Sequence, residues 1–239
     1  MHKSNTPIHV SIVIPAYNPG PALVDVVGRV HRSLDTNKYT SHEIVVVSDG
    51  TTDGSIALLD DTDARLAVIE LPINQGKGKA LKAGIAETHG IYVAFIDADG
   101  DLPPELLPNM ISLLIDSDIS AVIGSRSAPG AQITSTTIRR ILSRVFRIWV
   151  SLWIRISVSD TQVGIKAFKG DLIRALTQSV KSDGFAFDVE LLWMLQKNHS
   201  ATVCEYPVVQ LAPQSSSVSL SRSMSALIEV ARIRLRRYL

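Results

Sequence analysis

Three carboxylates stand within five residues at Asp97-Ala98-Asp99-Gly100-Asp101, directly after the nearly all-apolar run IYVAFI of residues 91–96. Like charges this close repel one another, and a hard divalent cation taking oxygen ligands best offsets the repulsion. The same residues could form a polar turn before the helix that Pro103-Pro104 opens. Their place at the carboxyl end of a buried strand, where parallel sheets bind ligands, favours the metal. Asp49 holds the corresponding place after the run of residues 43–47, inside the turn SDGTTDGS of residues 48–55. A carboxylate there can accept from the ring N–H of a pyrimidine or guanine base, or merely shape a glycine-rich turn. Asp53 in the same turn reads as a cap for the helix that follows. The segment Gln75-Gly76-Lys77-Gly78-Lys79 offers backbone amides and a cation to a diphosphate at a helix N-terminus. It lacks the first glycine and the Ser/Thr of a Walker loop, and no GxGxxG follows the first apolar run, which argues against a dinucleotide-binding dehydrogenase.

These residues need a scaffold that brings strand ends together. Short β-branched runs at residues 10–15, 43–47, 65–71 and 91–96 alternate with helical patterns that reach residue 34, run from 55 to 59 and from 79 to 88. That rhythm predicts an α/β fold, a mostly parallel sheet with helices on both faces. Further on, strands are expected at 119–125 and 164–168, a helix near 189–196, and one or two strands within 201–211 broken by Pro207. A serine-rich loop at 214–221 leads into an amphipathic terminal helix.

The 239 residues, 46% of them hydrophobic, fit a single core, which stays economical up to about 250 residues. A net charge of +1 leaves the whole chain without the electrostatic footprint of a nucleic-acid binder. The single cysteine, Cys204, excludes an internal disulfide and a cysteine-rich zinc site and suits a reducing compartment. Residues 1–9 are polar and lack the apolar centre of a signal peptide, and no stretch supplies the about 20 apolar residues of a membrane span.

The runs VSIVIPAYN (residues 10–18), SDGTTDGS (48–55), QGKGKALKAG (75–84) and FIDADGDLPPE (95–105) together resemble family-two glycosyltransferases of the GT-A fold. Within that family GSRS (124–127), DTQVGIKAF (160–168) and FAFDVELLW (185–193) look like the polyprenyl- and dolichyl-phosphate sugar synthases. The resemblance covers about residues 10–206. It implies a Rossmann-like GT-A domain over residues 1–212, followed at 213–239 by a loop and a basic amphipathic helix near a membrane. It implies inverting transfer of a hexose from UDP-glucose or GDP-mannose to a polyprenyl phosphate, with Mg2+ or Mn2+ as cofactor. Carried over residue by residue, it makes Pro15, Tyr17, Asn18 and Asp49 nucleoside contacts, with Lys77 and Ala98 also on the nucleotide. Asp97 and Asp99 become the nucleotide-and-metal pair, with Asp101 a further metal ligand. Arg126 would face the phosphates, joined by Arg139 or Arg140. The family's glutamate after Tyr-Asn is Pro19 here, its paired aspartates are reduced to Ser48-Asp49, and its late Gly-Ser-Lys is replaced by Ser215-Ser216-Ser217, leaving Arg222 to supply that cation.

A phosphate acceptor is already an anion at neutral pH, its second pKa lying at about 6, so no protein base is required. A hydroxyl acceptor would need one, and Asp188, with Asp160 next, is the candidate. A third reading is a nucleotide-sugar-binding scaffold without turnover, which the retained Asp97, Asp99 and Arg126 oppose. The segment 138–156 places Ile138, Ile141, Leu142, Val145, Trp149, Leu152, Trp153 and Ile156 at helical spacing, among five arginines and no acid. It reads either as a core helix or, as its arginines favour, as an interfacial helix holding the protein at the cytoplasmic face of a membrane.

Overall fold

The structure, a computed structural model, describes residues 9–37, 39, 41–60, 62–133, 148–150, 152–154, 156–197, 201–210 and 228–235. Arg139, Arg140 and Arg222, much of the 138–156 segment and the 213–227 loop lie outside the described residues.

Strands β1 (Val10–Ala16), β2 (His42–Asp49), β3 (Leu66–Leu71), β4 (Tyr92–Ile96), β5 (Ala121–Ser125), β7 (Ile165–Lys169) and β8 (Val203–Pro207) form one sheet, ordered β3-β2-β1-β4-β7-β5-β8. Only β7 runs antiparallel to its neighbours. Strands β6 (Gln132–Ile133) and β9 (Val209–Gln210) make a small parallel pair. The central strands are apolar at successive positions because both faces are covered, as parallel sheets require. Val10, Ile12, Ile14, Ile44 and Val46 pack under α1 (Ala22–Thr36) and α3 (Leu107–Asp116). Val13, Val45, Val47, Val93 and Phe95 pack under α2 (Lys77–Ala86), α4 (Gly170–Ser179) and α5 (Phe187–Lys197). The register Ala16↔Ser48 brings the carboxyl ends of β1 and β2 level, so the two loops that follow meet at one edge.

The alternation read from the sequence is therefore present, with three adjustments. The segment after Ser55 is only a 3-10 turn, Ile56–Leu58, with none of its side chains buried. Helix α4 was not anticipated, although Leu172, Ile173 and Leu176 carry a helical spacing. The third concerns the amphipathic segment. Its residues Val150 and Ile154 are buried in a separate cluster with Ala186 and Val189 beside α5 and with Val230 and Ile233 of the helical residues 228–235. Those terminal helical residues thus pack onto the domain. Ile148, Leu152, Ile228 and Leu235 remain exposed on the same two segments. No described helix is long and apolar enough to cross a membrane.

Candidate active site

The site forms where the ends of β1, β2 and β4 meet the start of β7. Strand β4 ends at Ile96, and the Asp97 amide donates to the Gly164 carbonyl at 2.9 Å, which carries the chain across to β7. The close approach explains the glycine. A Cβ at Gly164 would stand 1.9 Å from Asp97 Oδ2.

Asp97 Oδ1 lies 2.6 Å from the Lys77 ammonium, which begins α2. The same ammonium is 3.9 Å from Asp188 Oδ2 at the start of α5. Asp188 Oδ1 accepts from Lys166 Nζ at 2.6 Å, and Lys166 also donates to the Val163 carbonyl at 2.7 Å. A file of alternating charges, Asp97, Lys77, Asp188 and Lys166, thus leads from the strand end into the core. Lys166 is fully buried, and its ammonium sits 5.3 Å from the centre of the Phe95 ring. Burial lowers the Lys166 pKa against the pull of Asp188. Burial also acts on Lys77, but Asp97 and Asp188 outweigh it and hold that ammonium above the ordinary lysine range. Asp188, anticipated as a helix cap or a base, stands in the first turn of α5, buried and paired with Lys166. Lys166 was missed; a lysine inside the apolar strand IKAF was the available signal.

Asp99 is solvent-exposed as a residue, though the surrounding protein desolvates its carboxyl enough to oppose its charge. Burial, then the charge of Asp97, with Asp101 adding to it, push its pKa up to about 6, against the Asp101 amide and Lys77. Asp101 is itself buried and accepts from Gln210 Nε2 of β9 at 3.3 Å. Among the described residues no three His, Cys, Asp or Glu side chains are grouped to hold a metal ion. Asp97 and Asp99 interact electrostatically at the strand end, and Asp101, expected as a further ligand, is the one of the three that accepts from Gln210. That donor set fits Mg2+ or Mn2+, since a small hard cation is commonly held by one or two carboxylates together with phosphate oxygens and water. Burial first, and the charge of Asp97 second, raise the Asp99 pKa, and a bound cation would offset both.

The second and third loops form a frame around this pair. Asp49 is buried, and its two oxygens accept from the Gln75 and Gly76 amides at 2.7 and 2.9 Å. The Lys79 amide donates to the Asp183 carbonyl at 2.9 Å, and the Ala80 amide to the Gly76 carbonyl at 3.1 Å. Three of these amides, those of Gln75, Gly76 and Lys79, were expected to be available to a diphosphate; protein acceptors take them instead. Gly76, at φ +100°, sits where a Cβ would be 2.6 Å from the Asp183 carbonyl oxygen. What the loop delivers is the Lys77 side chain.

Pro15 lies in β1, and Tyr17 and Asn18 follow it, Tyr17 being 44% exposed at the site's mouth. Asn18 adopts a positive φ of 48° and accepts from the Thr52 amide at 2.8 Å, tying the first loop to the second. Asp53 completes that tie. It accepts from the Ser55 amide at 3.0 Å and from the Gly20 amide at 2.7 Å; the N-cap of the short turn is Ser55, without a side-chain cap bond, so Asp53 is not the cap that was expected. Ala98 is buried between the two carboxylates in sequence.

Arg126, just past β5, grips Asp160 in a two-pronged pair, Nε to Oδ2 at 2.8 Å and a terminal nitrogen to Oδ1 at 3.1 Å. Burial pushes Asp160 up, and Arg126 overrides it, holding the carboxyl below the usual range. Arg126 also feels the charges of Asp97 and Asp101, which places its guanidinium on this site.

Known proteins resemble this chain over most of its length. A dolichyl-phosphate beta-glucosyltransferase of Dictyostelium discoideum is 27% identical over 250 residues, spanning 96% of this chain and 75% of its own length. A polyprenol monophosphomannose synthase of Mycolicibacterium smegmatis is 29% identical over 233 residues, spanning 92% and 84%. The solved glucosyl-3-phosphoglycerate synthase of Mycobacterium tuberculosis, in complex with Mn2+, uridine diphosphate and phosphoglyceric acid, superposes with a TM-score of 0.68 at 20% identity, covering 96% of this chain and 78% of that one. At that identity the likeness speaks for the fold, which is GT-A. The model of glycosyl transferase family 2 matches residues 11–177, and the chain belongs to that family.

Proposed function

We propose that this protein transfers a hexose, with inversion, from UDP-glucose or GDP-mannose to a polyprenyl phosphate. The observation that carries the acceptor class is the state of the two candidate bases. Asp188 is 1% exposed and paired with Lys166, and Asp160 is clamped by Arg126. A hydroxyl acceptor needs a base to take its proton; an acceptor phosphate, already an anion, does not. The relatives named above act, by their names, with the same acceptor chemistry.

In this reading Pro15, Tyr17, Asn18 and the frame built by Asp49 receive the nucleoside. Asp97 and Asp99 hold Mg2+ or Mn2+, which when bound stabilises charge on the departing nucleotide diphosphate. An oxygen of the acceptor phosphate forms the new bond to the anomeric carbon as the bond to the diphosphate breaks. Arg126, whose side chain is 25% exposed, screens the two phosphates from each other. Its pairing with Asp160 fixes the guanidinium before substrate arrives, so less entropy is lost on binding. The acceptor's chain stays in lipid, so we place the protein peripherally at the cytoplasmic membrane face.

The test is transfer from radiolabelled UDP-glucose or GDP-mannose to a polyprenyl phosphate, followed by extraction into organic solvent. Label should enter the organic phase from one of the donors and disappear with excess chelator. Label found only on soluble sugars, or only as free hexose, would reject the acceptor class.

A further inference from the structure

We propose that Lys77 is an internal counter-cation for Asp97 that a divalent metal displaces, and that Asp188, anchored by Lys166, is the seat to which the ammonium shifts. The inference rests on reading Asp97 as a metal-binding carboxylate of a nucleotide-sugar transferase.

The ammonium stands between two carboxylates at unequal distances, 2.6 Å from Asp97 and 3.9 Å from Asp188. Its side chain is 15% exposed, so it is held inside the site and does not reach out from it. Asp188 cannot follow it, because its other oxygen is bound at 2.6 Å to Lys166, itself fully buried and tied to the Val163 carbonyl. A fixed acceptor on one side and a strand-end carboxylate on the other give the ammonium two stations. A lysine on its flexible four-carbon stem can pass between stations this close, whereas a rigid guanidinium fork could not do so without repacking.

A divalent cation and an ammonium cannot share Asp97 without strong mutual repulsion. With the metal absent, the Lys77 ammonium at 2.6 Å neutralises Asp97. With the metal present, the ammonium would be released toward Asp188, and the negative charge of a bound nucleotide diphosphate would favour that release. Metal and donor would then bind with positive coupling through one side chain. Their sites would report to each other through a free-energy term that is reciprocal by linkage.

The experiment is Mn2+ binding to the full chain, read by electron paramagnetic resonance of unbound Mn2+, with and without saturating UDP. Lys77→Met should tighten nucleotide-free Mn2+ binding at least about tenfold, the yield of freeing Asp97 from one charge-assisted hydrogen bond. It should also shrink the gain that UDP gives the wild type. Asp188→Asn should act in the opposite direction, weakening nucleotide-free Mn2+ binding, because the ammonium is left with Asp97 alone. A purely structural lysine would weaken metal binding in both variants. If Asp188→Asn does not fold, as loss of one partner in a buried pair can cause, Lys77→Arg keeps the test, because a guanidinium that cannot pass to Asp188 should stay on Asp97 and weaken nucleotide-free Mn2+ binding by at least about threefold. Measurable but unchanged or weaker binding in Lys77→Met overturns the exchange alone. No Mn2+ bound by the wild type or by Lys77→Met, even with UDP, overturns the metal reading and the exchange with it.

Discussion

Asp99 carries a charge that the metal-free fold opposes. Its pKa is about 6 in the folded protein, above the value near ~4 expected in the unfolded chain. The protonated form is therefore the one favoured by folding. Its contribution to stability is complete below about 4 and is lost as pH climbs through about 6. The thermal midpoint of chelator-treated protein should accordingly fall across that window, and Mn2+ should restore it above the window. Asp99→Asn should abolish transfer and remove this component of the pH dependence. A mutant whose midpoint still tracks pH as the wild type does would reject the assignment. Asp49 makes a contrasting case, since it holds two amides of the neighbouring loop. Asp49→Ala should cost roughly 1.5–3 kcal/mol of stability in urea unfolding and weaken nucleotide binding as well. A loss of affinity with unchanged stability would instead mean a direct base contact. The DADGD turn and Asp49 were legible in the sequence because each follows an apolar strand within a few residues. The partners of Asp97, Asp188 and Arg126 were not, because those pairs join residues far apart in the chain, as Lys166 with Asp188 and Arg126 with Asp160 do, and no local period encodes them.

Strand β7 shows how an element can set the chemistry of a residue it does not carry. It enters the sheet antiparallel, with Ile165 opposite Ile96, and this puts Gly164 against the Asp97 carboxylate. Gly164→Ala should displace that carboxylate and lower kcat on the order of 10²-fold, the scale on which small misplacements act. Its thermal midpoint should move far less than its rate. Wild-type turnover in the variant would show that Asp97 has room to spare. Elements of the first half were readable because strand and helix alternate there with clear periods. The antiparallel β7 was not, since its apolar run is the same whichever way it points. Helix α4 starts directly at the end of β7, at Gly170, with no loop to announce it.

At the scale of the whole molecule, a third apolar cluster joins the terminal helical residues to the domain. The amphipathic segment was expected to lie on a membrane or in the core, and in the described part some of its apolar residues are buried while others face solvent. Val150 and Ile154 are buried against Val230 and Ile233, while Leu152 is 74% exposed and Leu235 62%. Trp149 and Trp153 pack on each other beside them, with ring centres 5.5 Å apart. Arg232 is exposed one helical turn from both Ile228 and Leu235. Exposed aliphatic side chains with tryptophans and arginine alongside are suited to the headgroup boundary of a bilayer, where the long basic side chain keeps its charge in water. Burying one leucine side chain contributes about 1.5–3 kcal/mol when complete, so even partial insertion of two should matter. The double variant Leu152→Glu, Leu235→Glu should therefore fold normally, since both side chains already face solvent. It should float with anionic liposomes at least about tenfold less than the wild type. Transfer to a long-chain polyprenyl phosphate should slow by more than transfer to a short, water-soluble phosphate acceptor, because only the first depends on residence at the lipid surface. Unchanged flotation, or equal slowing with both acceptors, would separate this face from the membrane and leave the cluster a purely internal joint between the terminal helical residues and the domain.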